Sequence, residues 1–160
     1  MKIKTLIIDH YDSFTYNIKS WLEKGNFEVK VVYFDDFELI NIINSFDLIL
    51  FSPGPGNPND YPKSLELIEK YKKTKTIFGI CLGLQMMLTN DNIKISPFYP
   101  PVHGKQSIIT TNNKSIFENI PQMKVARYHS LGSFVCGENY EITAKIDNGL
   151  IMGIEHKMYK

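Results

Sequence analysis

Short apolar runs alternate with amphipathic segments through the first half of the chain. The first run, Ile3–Asp9, is too continuously apolar for a strand with one face in water, which would alternate polar and apolar residues. Strands and helices that alternate at this spacing indicate βαβ units and a parallel sheet with right-handed crossovers. The predicted strands are Ile3–Asp9, Phe27–Phe34, Asp47–Phe51 and Thr76–Ile80, and the predicted helices are Ser13–Lys24, Phe37–Asn44, Pro62–Lys73 and Leu82–Leu88.

The first predicted helix has an apolar face that is expected to lie against the sheet. Side chains three or four positions apart share one side of a helix. The residues so placed are Phe14, Ile18, Trp21 and Leu22. Gly25 is the expected C-terminal stop, and Asp12 or Ser13 is the expected N-cap.

The pattern changes after about residue 92, where short apolar strands are separated by turn-rich segments. The strands predicted here are Gln106–Thr110, Glu141–Ile146 and Leu150–Ile154. Asn148-Gly149, between the last two, is a strong hairpin signal. The predicted fold is therefore α/β: a flavodoxin-like, open, mostly parallel sheet with helices on both faces, and a more antiparallel C-terminal half.

Composition limits the classes of protein and of partner. The 160 residues suit a single domain, and 18 Lys and Arg against 17 Asp and Glu give a formal net charge of +1. Such a balance argues against non-specific nucleic-acid binding and against polybasic membrane binding. The two cysteines, Cys81 and Cys136, form neither a disulfide scaffold nor a zinc-ligand spacing. A cytoplasmic, soluble protein without a metal or a membrane span is predicted.

The segment Gly79-Ile80-Cys81-Leu82-Gly83 joins a predicted strand to a predicted helix. Glycines two positions before and after the cysteine permit a sharp turn that lifts its side chain clear of the sheet. The sulfur then lies at a helix N-terminus, which favours an anion, and the Leu82 N–H is free to donate to an oxyanion. A nucleophilic Cys81 is favoured over the alternative, a small buried cysteine beside structural glycines.

The loop Ser52-Pro53-Gly54-Pro55-Gly56 also follows a predicted buried strand. It is therefore expected at the carboxyl edge of the sheet, where open α/β folds bind ligands. Its prolines stiffen it, and Gly54 could present a second N–H to an oxyanion. On its own, the loop fits a rigid turn without a ligand equally well.

Five motifs, in order along the chain, carry a family resemblance. They are Asp9–Asn17, Ser52–Gly56, Gly79–Gln85, Val102–Lys105 and Arg127–Leu131. With them the chain resembles the class I, triad-type glutamine amidotransferases, and within these the glutaminase component of anthranilate synthase and aminodeoxychorismate synthase.

The resemblance implies that Cys81 attacks the side-chain amide of L-glutamine and that water releases glutamate from the thioester. The oxyanion would rest on the N–H groups of Gly54 and Leu82. The other residues that the resemblance implies for glutamine binding are Pro55, Gly56, Gln85, Ser130 and Leu131. Ammonia would pass to a chorismate-binding synthase subunit in a hetero-oligomer, with no cofactor, and the loop at Tyr11, Asp12 and Ser13 would lie near the site and this partner.

Two departures from the family pattern are present. Leu84 stands where the family usually has His or Met. The family's general base belongs to a His-Pro-Glu motif, and none of the four histidines of this chain, His10, His103, His129 and His156, is followed by Pro-Glu. The expectation is a domain over residues 1–160 that lacks the family's C-terminal catalytic strand and helix and has low activity, a shortened form of an active enzyme rather than a natural pseudoenzyme.

Two other functions compete with the glutaminase. The missing motif favours a catalytically silent, glutamine-binding partner module of such a synthase. A phosphate or cofactor binder of the flavodoxin type is weakened by the absence of a glycine-rich phosphate-binding motif. Neither the tryptophan nor the folate branch is selected by the sequence.

Overall fold

The computed structural model describes residues 2–159. It divides into two compact units, one of residues 2–90 with Tyr159 and one of residues 91–158. No helix within the described residues is both long enough and apolar enough to cross a membrane.

The first unit is a four-stranded parallel sheet in the order β2-β1-β3-β4. Its strands are β1 (Ile3–Asp9), β2 (Phe27–Tyr33), β3 (Leu48–Phe51) and β4 (Thr76–Gly79). Its helices are α1 (Thr15–Glu23), α2 (Leu39–Ile42), α3 (Pro62–Tyr71) and α4 (Leu82–Asn90), with 3-10 turns at Ile43–Ser45 and Pro58–Asp60. The predicted parallel sheet is confirmed, and β1 has the predicted bounds.

Alternate residues of β1 feed two separate cores, one on each face of the sheet. Leu6 and Ile8 belong to the larger cluster, which includes buried side chains of α2, α3 and α4. Ile7 belongs to the smaller cluster with Ile18 of α1 and Leu50 of β3. Helices therefore cover both faces, as predicted, because successive side chains of a strand point to opposite sides.

The N-terminal part of α1 differs from the prediction. Phe14 and Trp21 are exposed, at 43% and 61%, and contact each other edge to face instead of entering the core. Phe14 is the N-cap, and no side chain caps the helix. The Asp12 carboxylate accepts from the Phe14 N–H at 2.8 Å, so it orders the turn before the helix. The predicted apolar face was too wide, since Ile18 alone of these four side chains is fully buried.

The second unit is a four-stranded antiparallel sheet in the order β6-β5-β7-β8. Its strands are β5 (Ser96–Thr111), β6 (Gln122–Gly132), β7 (Tyr140–Lys145) and β8 (Ile151–His156), with a 3-10 turn at Ser115–Phe117. The hairpin at Asn148-Gly149 is confirmed: Gly149 has φ +88° and its N–H donates to the Ile146 carbonyl at 2.8 Å. The long strand β6 was not predicted from the sequence.

Candidate active site at the carboxyl edge of the parallel sheet

Three loops that follow neighbouring strands meet at one edge of the parallel sheet. In register, Ile8 of β1 lies beside Phe51 of β3, and Phe51 lies beside Gly79 of β4. The next residues along these strands lead to His10, the loop 52–56 and Cys81. This edge is where open α/β sheets bind ligands.

Cys81 lies at the sharp turn between β4 and α4. Its φ is +55°, a left-handed conformation that costs a residue with a Cβ about 1–3 kcal/mol. The Ile80 N–H donates to the Phe51 carbonyl and the Gly83 N–H donates to the Ile80 carbonyl, both at 3.0 Å. These bonds fix the backbone on both sides of the cysteine, and the residue itself is exposed to solvent. The predicted elbow is therefore present.

The flanking glycines let backbone touch backbone at this turn. A Cβ on Gly79 would strike the backbone of Gly83, with its oxygen at 2.6 Å. A Cβ on Gly83 would strike the carbonyl oxygen of Phe51. The start of α4 is thus seated directly on the ends of β3 and β4, which holds Cys81 beyond the sheet.

The electrostatic environment of the Cys81 thiol is mixed. Loss of hydration among neighbouring protein atoms raises its pKa, and the Asp12 carboxylate raises it further. A hydrogen bond from the Leu82 N–H lowers it, but the net pKa lies above the ordinary value. The expected helix effect is therefore outweighed, and a thiol in this state needs a proton acceptor to become a nucleophile at neutral pH. Because the Asp12 carboxylate acts on the Cys81 thiol, the Asp9–Asn17 motif also lies near the site.

The loop at 52–56 is held from several directions. A Cβ on Gly54 would lie 2.7 Å from the Cβ of His10 and 2.8 Å from Cδ2 of Leu82. The Tyr61 hydroxyl donates to the Pro55 carbonyl at 2.8 Å. Gly56 has φ +78°. The structure thus brings Gly54 against Leu82, the two residues whose N–H groups were predicted to bind an oxyanion.

Gln85 lies on α4 one turn after Cys81 and is buried. Its N–H donates to the Cys81 carbonyl at 3.1 Å. Leu84, at the position where the sequence departs from the family, is half-buried on the same helix. Gln85 therefore lies within the same local structure as the nucleophile.

Ser130 and Leu131 lie on β6, in the second unit, and are half-buried. His129 supports this strand. Arg127 Nε can only donate, so His129 Nε2 accepts from it at 3.0 Å, and the ring's Nδ1–H donates to the Leu131 carbonyl at 3.0 Å. Burial lowers the pKa of His129, which favours this neutral form. His129 thus connects Arg127 with the backbone of β6 at Leu131.

His10 is the residue at this edge that sequence reasoning did not select. It is fully buried, and its ring nitrogens contact Ser52 and Ser64. Burial lowers its pKa to about 4, so the imidazole is neutral near pH 7. The sequence offered one signal for His10, its position directly after a buried strand. Its partners, Ser52 and Ser64, lie 42 and 54 residues away along the chain, so no local pattern indicates these contacts.

Among residues 2–159, no three His, Cys, Asp or Glu side chains form a group that could hold a metal ion. Cys81 and Cys136 are both free thiols. At this edge the structure places the Cys81 thiol beside the Leu82 N–H, an arrangement that suits nucleophilic attack on a carbonyl carbon.

Comparisons with known proteins agree with this geometry. The model of the family described as glutamine amidotransferase class-I matches residues 6–160. Anthranilate synthase component 2 of Cyanophora paradoxa is 40% identical, over 97% of this chain and 84% of the relative. A glutamine amidotransferase from Thermotoga maritima shares the fold with a TM-score of 0.78 at 17% identity, over 99% of this chain and 73% of that one.

Longer relatives match as well. The multifunctional tryptophan biosynthesis protein of Pichia angusta is 37% identical over 96% of this chain, which spans 43% of that protein's length. The aminodeoxychorismate synthase of Streptomyces griseus is 32% identical over 97% of this chain, which spans 22% of it. The family match over nearly the whole sequence and the cysteine turn lead to the same conclusion: this chain belongs to the class I glutamine amidotransferases.

Proposed function

We propose that this chain is the glutaminase component of a chorismate-aminating synthase. The observation that carries the proposal is the Cys81 turn, with φ +55° at the start of α4 and Gly54 packed against Leu82. The names of the relatives, anthranilate synthase component 2 and aminodeoxychorismate synthase, support the choice of synthase.

The proposed reaction has two steps. Cys81 Sγ attacks the side-chain carbonyl carbon of L-glutamine, and the tetrahedral oxyanion accepts hydrogen bonds from the Gly54 and Leu82 N–H groups. The C–N bond then breaks, and the nitrogen leaves as ammonia with the proton lost by the thiol. Water hydrolyses the thioester, which releases glutamate and restores the thiol.

The remaining roles follow the family resemblance. By this resemblance, Gln85 and the backbone around Ser130 and Leu131 would contact the glutamine substrate, and Pro55 and Gly56 would belong to the loop that binds it. The ammonia would pass to a partner subunit that binds chorismate. Two free cysteines suit the cytoplasm, a reducing compartment, as the proposed location.

Selective labelling of Cys81 tests the substrate. A chloroketone analogue of glutamine should alkylate Cys81 at least about 10-fold faster than chloroacetone, which has the same reactive group without the amino-acid part. Mass spectrometry of the Cys81 and Cys136 peptides gives both rates in one sample, at a mildly alkaline pH because the thiol pKa is raised.

Cys136 is the internal control for this experiment. It is half-buried, and its sulfur lies 3.6 Å from the Gly137 carbonyl oxygen and 3.5 Å from the Tyr140 carbonyl oxygen, either of which can accept its single hydrogen. It should show no preference between the two reagents. An equal preference at both cysteines, or none at Cys81, would exclude a glutamine site at this turn.

A silent partner module is the second candidate. The raised pKa of the Cys81 thiol favours it, because a neutral thiol is a weak nucleophile. We expect the chain to co-purify with a chorismate-binding subunit when the two are co-expressed. Glutamine-dependent amination of chorismate, with one glutamate released for each amine formed, would identify the glutaminase; stable binding without glutamate release would identify the silent module. The product, anthranilate or aminodeoxychorismate, would identify the branch.

A further inference from the structure

We propose that His10 is a positioning residue that holds the loop 52–56 so that the Gly54 N–H is directed at the oxyanion formed on Cys81. The inference rests on the proposed function for its substrate but on the geometry of the first unit for its mechanism. Neither the sequence motifs nor the comparisons assign this role to His10.

Three polar contacts connect His10 to two other elements. Its backbone N–H donates to Ser52 Oγ at 2.9 Å, and its ring Nδ1 lies 3.2 Å from the same oxygen. Its Nε2 lies 2.9 Å from Ser64 Oγ, near the start of α3. All three residues are completely buried, so the loop after β1, the loop after β3 and helix α3 are joined through one ring.

The hydrogen-bond donors and acceptors in this network determine the tautomer. The single hydroxyl hydrogen of Ser52 is donated to the Pro53 carbonyl at 2.6 Å. Ser52 Oγ must therefore accept from the ring, so Nδ1 carries the hydrogen and Nε2 accepts from the Ser64 hydroxyl. Both ring nitrogens are then hydrogen-bonded. Because the pKa of His10 is lowered to about 4, the imidazole stays neutral near pH 7 and keeps this arrangement.

The same ring packs against Tyr61, a side chain that also holds the loop 52–56. It stands edge to face with Tyr61, centroids 5.0 Å apart, and Tyr61 donates to the Pro55 carbonyl. The loop is thus held at Ser52 by the ring nitrogen and at Pro55 by a neighbour of the ring. Gly54 lies between these two points, against the Cβ of His10.

An apolar side chain could pack at position 10 without the free-energy cost of removing a polar ring from water. Burying an imidazole without water is unfavourable unless its nitrogens are hydrogen-bonded, and the net gain from those bonds is small. The polar ring adds a fixed direction for the Gly54 N–H. This matters because an oxyanion donor contributes to the rate only when it is already in place.

Two matched variants separate positioning from packing. Both variants keep the bond from the backbone N–H of residue 10 to Ser52 Oγ. His10→Asn also keeps a side-chain donor near the place of Nδ1, whereas the His10→Gln side chain reaches toward Ser64 and loses the side-chain bond to Ser52. Both replace the ring with a neutral amide. If His10 positions the loop, the reaction depends on the bond between the side chain at position 10 and Ser52.

Two reagents report on the oxyanion site separately from the thiol. With p-nitrophenyl acetate, Cys81 Sγ attacks the ester carbonyl, an oxyanion forms, and p-nitrophenolate leaves as the thiol proton goes to solvent. With iodoacetamide, sulfur displaces iodide at a saturated carbon and no oxyanion forms. The ratio of the two rates cancels differences in thiolate fraction and access, and a Cys81→Ala chain gives the background.

We expect His10→Gln to lower this ratio at least about 10-fold, because loss of one oxyanion donor costs about 10²–10³ in rate. We expect His10→Asn to stay within about threefold of the unmodified chain. Equal ratios in all three chains, or an equal fall in both variants that follows their thermal stability, would overturn the proposal. The outcome is independent of the glutamine chloroketone test, which can fail while this ratio still changes.

Discussion

Replacing Gly83 with alanine is expected to lower the free energy of unfolding of the first unit by about 3 kcal/mol or more. The new Cβ would be forced against the carbonyl oxygen of Phe51 and would also lie 3.0 Å from the Phe51 Cβ. These atoms belong to the end of a central strand, so no flexible side chain can move aside. The helix α4 must separate from β3, which moves Cys81 as well.

Urea unfolding followed by fluorescence measures this change, because the only tryptophan, Trp21, lies in the first unit. Gly25→Ala is the matched control. Its Cβ would meet the Leu22 carbonyl oxygen at 3.3 Å and the Phe27 ring at 3.4 Å, in a loop where small shifts suffice. We expect a change of no more than about 1 kcal/mol for the control. Equal stability of the two variants would mean that α4 does not depend on this close approach.

The parallel unit could be predicted because its signals are local. The strand Ile3–Asp9 contains the apolar run Leu6-Ile7-Ile8, and the structure has the predicted bounds. The glycine spacing around Cys81 likewise specifies a sharp turn without reference to the rest of the chain. Sequence pattern is sufficient where one segment contains both the element and its boundary.

Strand β6 could not be predicted because most of it is exposed or half-buried, with Arg127 as its one fully buried residue. A strand without a continuous apolar face has no periodic sequence signal. Backbone pairing with β5 holds β6 in the extended conformation instead. The sequence showed only the C-terminal part of β5, Gln106–Thr110, for the same reason: the first half of this strand carries exposed residues such as Tyr99, at 93%.

The candidate site divides in the same way. Cys81 and Gly54 were found from glycine and proline spacing within short segments. The pKa of Cys81 was expected to fall on the basis of the helix alone, whereas loss of hydration beside neighbouring protein atoms and the Asp12 carboxylate, distant in sequence, raise it. His10 was missed because its role depends on two serines far along the chain. Contacts across such separations are decided by the fold.

His10 also predicts how acid acts on the folded chain. Burial lowers its pKa to about 4, while an unfolded histidine titrates near its ordinary value of 6.5. Between these pH values the unfolded chain binds more protons, so the stabilising contribution is complete above about pH 6.5 and is lost as the pH falls toward 4. The full shift corresponds to about 3 kcal/mol, and attraction to Asp9 is already included as a smaller, opposing influence on the pKa.

The proton has one place to go, because Nδ1 already carries hydrogen and Nε2 accepts from Ser64. Protonation therefore places a charge in the completely buried ring and removes the acceptor of the Ser64 hydroxyl. Urea unfolding between pH 7 and 4 should show the unmodified chain losing about 3 kcal/mol more than His10→Asn, which cannot titrate. The carboxylates and His129 are present in both chains and cancel in the difference. If the difference in unfolding free energy between the two chains stayed constant from pH 7 to pH 4, His10 would have the same pKa in the folded and unfolded chain. That result would remove the physical basis for its fixed tautomer.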